Sequence, residues 1–138
     1  MKTFVDSSIL IEALVAGQPH QLRCAELVAE ATDTATHCLA ESFNRLTGGR
    51  LGFRVRPAEA AKMLRQLTPG LTLTSLSGPQ MLACLDSAHR RGARGGAIYD
   101  LLILEAARLA KAKIIWTLNL SGFRALAPDL DVRSPAQS

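Results

Sequence analysis

Within the run GARGGAIYDLLILEAARLAKAKIIWTLNLSGF, Gly92 to Phe123, the stretch Ala97 to Ala112 is apolar almost all the way around a helical wheel. A helix with no polar face has to be buried, so the rest of the chain must wrap it. Two acids interrupt it. Glu105 has Arg108 three residues on, an ordinary helical ion pair. Asp100 has Gly96, Ala97, Ile103 and Leu104 at its helical neighbour positions and no cation nearby in sequence. A carboxylate buried alone is costly, so Asp100 is expected to meet a partner from elsewhere in the fold or a metal.

The segments around this helix alternate between two periods. Lys2 to Val5 reads as a strand ending at Asp6, and Ser7 onward has helical spacing through Ile9, Leu10, Ala13 and Leu14. Gly17 and Pro19 break it, and Gln21 to Ala31 is a second helix. Thr34 to His37 reads as a strand, and Cys38 to Leu46, which contains Glu41, as a helix ending at Gly48 and Gly49. Pro57 opens a helix through Leu67, with Ala61, Met63, Leu64 and Leu67 forming an apolar stripe best suited to core packing. LTLTSL, Leu71 to Leu76, alternates as a half-buried strand should. Ser77, Gly78 and Pro79 start a helix closed by Gly92, with Arg90 and Arg91 at its C-terminus. Lys113 to Thr117 is a strand, Leu120 to Leu126 a turn or short helix, and Leu130 to Arg133 an edge strand.

Such alternation predicts a mainly parallel sheet covered on both faces, a three-layer α/β/α domain. The 138 residues allow one domain with a real core, expected over residues 1–133, with 134–138 a frayed tail. Asp6 and Glu12 interrupt the apolar positions of the N-terminus, which argues against a signal peptide or membrane span and for a cytosolic protein. The three cysteines, Cys24, Cys38 and Cys84, sit among Ala and Leu and read as small buried hydrophobes rather than disulfides or a zinc site. His20, His37 and His89 are scattered and read as surface or satisfied core residues. The net charge of +4, with arginines clustered at 45, 50, 54 and 56 and at 90, 91 and 94, permits a polyanionic partner without requiring one.

In a parallel α/β sheet ligands gather beyond the carboxyl ends of the strands. Asp6 closes the first strand and Thr117 with Asn119 follow the IIW strand, so these residues are expected to converge. Each has an ordinary alternative: Asp6 as a helix cap, Glu41 paired with Arg45, Asn119 as a turn residue before Gly122, Asp100 in an unrelated salt bridge.

With VDSSILIEAL at the start, LAESFNRL in the middle and AIYDLLILEAARLAKAKIIWTLNLSGF near the end, the chain resembles a PIN domain over essentially its whole length. It is most similar to the VapC ribonuclease toxins of bacterial toxin–antitoxin pairs. The resemblance implies a PIN-like α/β/α fold and a metal-dependent endoribonuclease. It places the acidic metal ligands on Asp6, Glu41 and Asp100, with Asn119 at the fourth position and Thr117 beside it. It further implies Mg²⁺ or Mn²⁺, an RNA substrate, a cognate antitoxin that masks the acidic pocket, and a homodimer.

Chemistry supports the transfer. Hydrolysing a phosphodiester calls for a hard cation with oxygen ligands, and clustered carboxylates tolerate one another only around such a cation. Asp6 and Asp100 would be direct ligands, with Glu41 ligating directly or through water. Many relatives carry Asp where this chain has Asn119; an amide oxygen brings no charge, which implies a weaker second ion or one ion only. Ser7 and Ser8 could orient a water or meet phosphate at a helix N-terminus, and the Arg50 to Arg56 loop is a candidate RNA reader. The competing reading is a non-catalytic PIN-like module that binds RNA or protein. A receiver or phosphatase domain is disfavoured because position 8 is Ser, so no Asp-x-Asp follows the first strand.

Overall fold

The computed structural model describes residues 1–137. Its centre is a five-stranded sheet, β1 (Thr3–Val5), β2 (Asp33–Ala35), β3 (Thr72–Thr74), β4 (Ile114–Trp116) and β5 (Val132–Arg133), in the order β3-β2-β1-β4-β5. Every pairing is parallel, with Phe4 opposite Asp33 on one side and Val5 opposite Trp116 on the other. The chain therefore leaves β1 toward β2 but returns to β1's other side as β4. That reversal of strand order opens a crevice at the carboxyl ends of β1 and β4, where α/β sheets bind ligands.

Seven helices cover the sheet: α1 (Ser7–Leu14), α2 (Gln21–Glu30), α3 (Thr36–Thr47), α4 (Pro57–Leu67), α5 (Gly78–Arg91), α6 (Ala97–Leu109) and α7 (Leu120–Leu126). α1 packs on α2 and α3, and α3 on α4, while α5 packs on α6 and α6 on α7. These are the two sets that right-handed crossovers put on opposite faces. The main core joins β1, α1, α6 and β4 through Phe4, Leu10, Leu104 and Ile115, each 0–1% exposed. A smaller core of Ile11, Val15, Leu46, Ala60 and Leu64 holds α4 against α1 and α3; of the expected stripe Leu64 is buried here and Leu67 packs on the main core, while Ala61 is exposed and Ala60 takes the buried place. All three cysteines are free and buried. No helix among the described residues is long and apolar enough to cross a membrane.

Several boundaries differ from expectation for identifiable reasons. α6 stops at Leu109 rather than Ala112 because Lys111 takes a left-handed conformation, φ 58°. Ala112 N–H then bonds to Ala107 O at 3.1 Å and Lys111 N–H to Arg108 O at 3.0 Å. This is the paired closure usually built on glycine. The strand expected over Thr34 to His37 ends at Ala35, and α3 begins at Thr36, which moves His37 onto the helix that carries Glu41. LTLTSL is not half-buried: β3 is the sheet's outer strand, and Leu73 is 45% exposed while Leu71, just before it, reaches the core. Beyond β5, Ser134 is buried and Pro135–Gln137 form a 3-10 turn; Ser138 lies outside the described residues.

Candidate functional site

Asp6 is the residue after β1, and Thr117 the residue after β4, facing each other where the crevice opens. Asp6 is 3% exposed. Its extended backbone caps α1, with Oδ1 accepting from Ile9 N–H at 3.2 Å. The capping role expected as an alternative is therefore real, but it uses part of one oxygen. Ser8 Oγ also donates to Oδ1 at 2.6 Å, and Thr117 Oγ donates to Oδ2 at 2.6 Å. Each hydroxyl in turn accepts from the loop after β4: Ser8 Oγ from Leu118 N–H at 2.9 Å, and Thr117 Oγ from Asn119 N–H at 3.0 Å. Two parallel relays thus clamp the TLN loop around one carboxylate. Ser8 aims Asp6 instead of standing free for phosphate.

Burial pushes the Asp6 carboxyl up to about 6; the hydroxyls of Ser8 and Thr117 and the Ile9 N–H pull it back, and the charge of Asp100 adds to the rise. No Lys or Arg pairs with Asp6, Glu41 or Asp100 among the described residues.

Asp100 lies in the first turn of α6, close to the rim. It is half-buried rather than enclosed, because the helix is sealed in the core only from Leu101 onward. The fully buried acids are Asp6 and Asp33, the latter at the start of β2, away from the carboxyl-end rim. Asp33 Oδ2 accepts from Thr32 Oγ at 2.5 Å, and its Oδ1 has no hydrogen-bond partner among the described residues. Asp100 Oδ2 accepts from Asn119 Nδ2 at 3.1 Å. Burial raises the Asp100 carboxyl above its usual range, the charge of Glu41 raises it further, and the Asn119 bond opposes both.

Asn119 does stand at the N-cap position of α7, but its side chain makes no capping bond and reaches Asp100 instead. Gly122 makes room for it: a Cβ there would come within 2.5 Å of Asn119 Nδ2.

Glu41 sits mid-α3 and accepts from Ser7 Oγ at 2.9 Å. Its expected partner Arg45 makes no ion pair with it among the described residues; the near basic side chain is His37, with Nε2 at 3.8 Å, one turn earlier. The His37 ring stacks on Tyr99, centroids 5.3 Å apart and planes 7° from parallel. Ser7, His37, Glu41, Arg45, Arg50 and Tyr99 line a cleft of about 460 Å³. Sequence spacing leaves His37 among the surface or satisfied core residues and does not single out Tyr99, although His37 precedes Glu41 by four residues and Tyr99 immediately precedes Asp100.

The five expected residues thus occupy one rim: Asp6 is bonded to Thr117, Asp100 to Asn119, and Glu41 to a sixth residue, Ser7. The donors are carboxylate, amide and hydroxyl oxygens, the set a hard divalent cation takes, and the mutual repulsion of the acids is what such a cation would relieve. As they stand, each carboxylate is turned onto its own donor. No three His, Cys, Asp or Glu among the described residues are grouped closely enough to hold a metal ion. The charge of the site fits a divalent ion, and chelation would require Asp100 and Glu41 to turn inward.

No protein-family model matches the chain, and no curated protein matches it in sequence. Solved structures do match. VapC20 of Mycobacterium tuberculosis, a toxin that cleaves the sarcin–ricin loop, aligns with a TM-score of 0.64 at 20% identity, over 83% of this chain and 87% of that one. VapBC2 of Rickettsia felis, bound to a fragment of promoter DNA, gives 0.68 at 18%, over 97% and 98%. VapBC-1 of nontypeable Haemophilus influenzae gives 0.63 at 17%, over 99% of both chains. At such identities the likeness is one of fold: this chain has the α/β architecture of the VapC structures, along nearly its full length.

Proposed function

We propose that the chain is a divalent-metal-dependent endoribonuclease of the VapC kind, acting as the toxin of a toxin–antitoxin pair. The observation that carries the reading is the gathering of Asp6, Asp100 and Glu41 at the β1/β4 crevice with no Lys or Arg among the described residues paired to any of them. The fold shared with VapC20, which cleaves the sarcin–ricin loop, points the same way.

In this reading Asp6 and Asp100 hold Mg²⁺ or Mn²⁺, and Glu41 ligates directly or through a water. Such an ion would polarise a phosphoryl oxygen and ease deprotonation of water. The chain's own residues prepare for that. Ser8 and Thr117 fix the direction of Asp6, Asn119 holds Asp100, and Ser7 holds Glu41. Arg45 and Arg50 lie along the neighbouring cleft, where guanidinium groups can meet the phosphates of a single strand. Asn119 contributes an uncharged oxygen, which favours a single ion over two. The VapBC structures among the fold neighbours support a cognate antitoxin as partner. A homodimer and a cytoplasmic location complete the proposal.

Two observations favour a second reading, a PIN-like module that binds RNA or protein without cutting: the carboxylates do not stand grouped for chelation, and position 119 is Asn. Incubating the purified protein with structured RNA in Mn²⁺, with and without EDTA, separates the two. A nuclease cleaves only without chelator, and Asp100→Asn loses cleavage while melting normally. RNA retained but never cut in Mn²⁺ selects the binding module.

A further inference from the structure

Resting on the nuclease reading, we infer that Tyr99, backed by His37, seats one unpaired RNA base beside the carboxylates, with Arg45 and Arg50 meeting the phosphates that flank it. Tyr99 is 52% exposed, an unusual amount for a large ring on an otherwise apolar helix. It is nonetheless not a loose surface side chain. His37 lies parallel to it at 5.3 Å, and His37 Nε2 is itself 3.8 Å from Glu41. The ring is thus held by a neighbour while half its surface stays open to the cleft.

The location follows from chain connectivity. Tyr99 is the residue before Asp100 on α6, and His37 is one turn before Glu41 on α3. The stacked pair is therefore built into the two helices that supply Glu41 and Asp100, and a base resting there has its backbone next to the site. Rings backed in this way lose little freedom when a base stacks on them, and every base has a face to offer. RNA is read mainly where bases are unpaired and splayed out. Arg45 and Arg50 line the same cleft, and neither makes an ion pair among the described residues, so their charges remain for phosphate. A folded duplex would keep its bases out of reach. The substrate segment implied is single-stranded: a loop, bulge or end.

Tyr99 is the chain's one tyrosine, so fluorotyrosine labelling gives a single fluorine resonance at this position. Titrating labelled protein in EDTA with a mixed-sequence single-stranded oligoribonucleotide should shift that resonance saturably. Tyr99→Leu should weaken binding roughly 5- to 100-fold, the range for losing one base–aromatic stack, whereas Tyr99→Phe binds as the native chain does. With Mn²⁺ present, Tyr99→Leu should raise KM and leave kcat nearly unchanged. A resonance that does not move at saturation, or Tyr99→Leu binding like the native chain, overturns the inference. A shifted resonance with no cleavage in Mn²⁺ sinks the nuclease reading and leaves the base seat standing. Cleavage with an unchanged KM in Tyr99→Leu does the reverse.

Discussion

Thr117 Oγ donates to Asp6 Oδ2 at 2.6 Å, and this bond joins the residues that leave the adjacent ends of β4 and β1. It is buried, and the same Thr117 oxygen accepts from Asn119 N–H at 3.0 Å, so one hydroxyl aims the carboxylate and shapes the loop that carries Asn119.

Replacing that hydroxyl by a methyl therefore strands two groups. Thr117→Val should cost about 1–3 kcal/mol in chemical denaturation, the penalty for buried polar groups left unpaired. Cleavage in Mn²⁺ should fall about 10- to 100-fold, as when a group that orients a metal ligand is removed. Thr117→Ser should restore both. Native activity in Thr117→Val would mean that Asp6 needs no aiming.

Without metal, stability should fall as pH rises. The Asp6 carboxyl moves from 3.8 to about 6 on folding, so between those values the folded state holds the extra proton. Its stabilising contribution is complete below 3.8 and is lost as pH rises through about 6, a change of about 3 kcal/mol. Asp100 shifts in the same direction. Asp129, which Arg108 holds down at about 2, works oppositely but in a more acidic range. In EDTA, the stability of the native chain minus that of Asp6→Asn should decline from pH 4 to pH 7 and then level. A difference that does not change with pH would show that Asp6 is not desolvated.

Divalent ions should reverse that decline. An ion that binds only the folded state adds about 2.7 kcal/mol when present at 100 times its Kd. Mg²⁺ or Mn²⁺ should raise Tm saturably at pH 8 and less at pH 5, where Asp6 is protonated. Asp100→Asn should shrink the rise. An equal increase from NaCl of matched ionic strength would identify screening rather than binding.

Gly122→Ala separates site from fold. Glycine within a helix normally costs about 0.5–1 kcal/mol relative to alanine, so α7 itself should gain. The added Cβ, however, would come within 2.5 Å of Asn119 Nδ2 and turn it from Asp100. Tm should hold or rise while cleavage drops about 10-fold, the lower range for losing a ligand-orienting contact. Unchanged cleavage would make the Asn119–Asp100 bond incidental.

Much of this was legible in the chain order. Alternating periods were enough for the parallel three-layer architecture, because helical segments separate each strand from the next. The run from Ala97 was expected to be buried all round; Leu101, Leu104 and Ala107 are buried, while Leu109 stays 43% exposed. Nearest neighbours in sequence gave the Glu105–Arg108 pair, at 3.4 Å, but misled at two other acids. Glu41 was offered Arg45 four residues on, yet it bonds Ser7 from another helix. Asp100 was judged the buried acid from its apolar neighbours, yet helix ends reach the rim, and of the three acids at the rim Asp6 is the enclosed one.

Sequence by itself determined which elements form and which residues follow the strands, since periodicity, capping and breaking residues act over a few positions. Only the tertiary structure decided how those residues meet. Parallel pairing of β1 with β4 brings Asp6 against Thr117 across 111 residues. The start of α3 at Thr36, set where β2 ends, places His37 beside Tyr99. Contacts of that range depend on strand order and helix register, which no local spacing encodes.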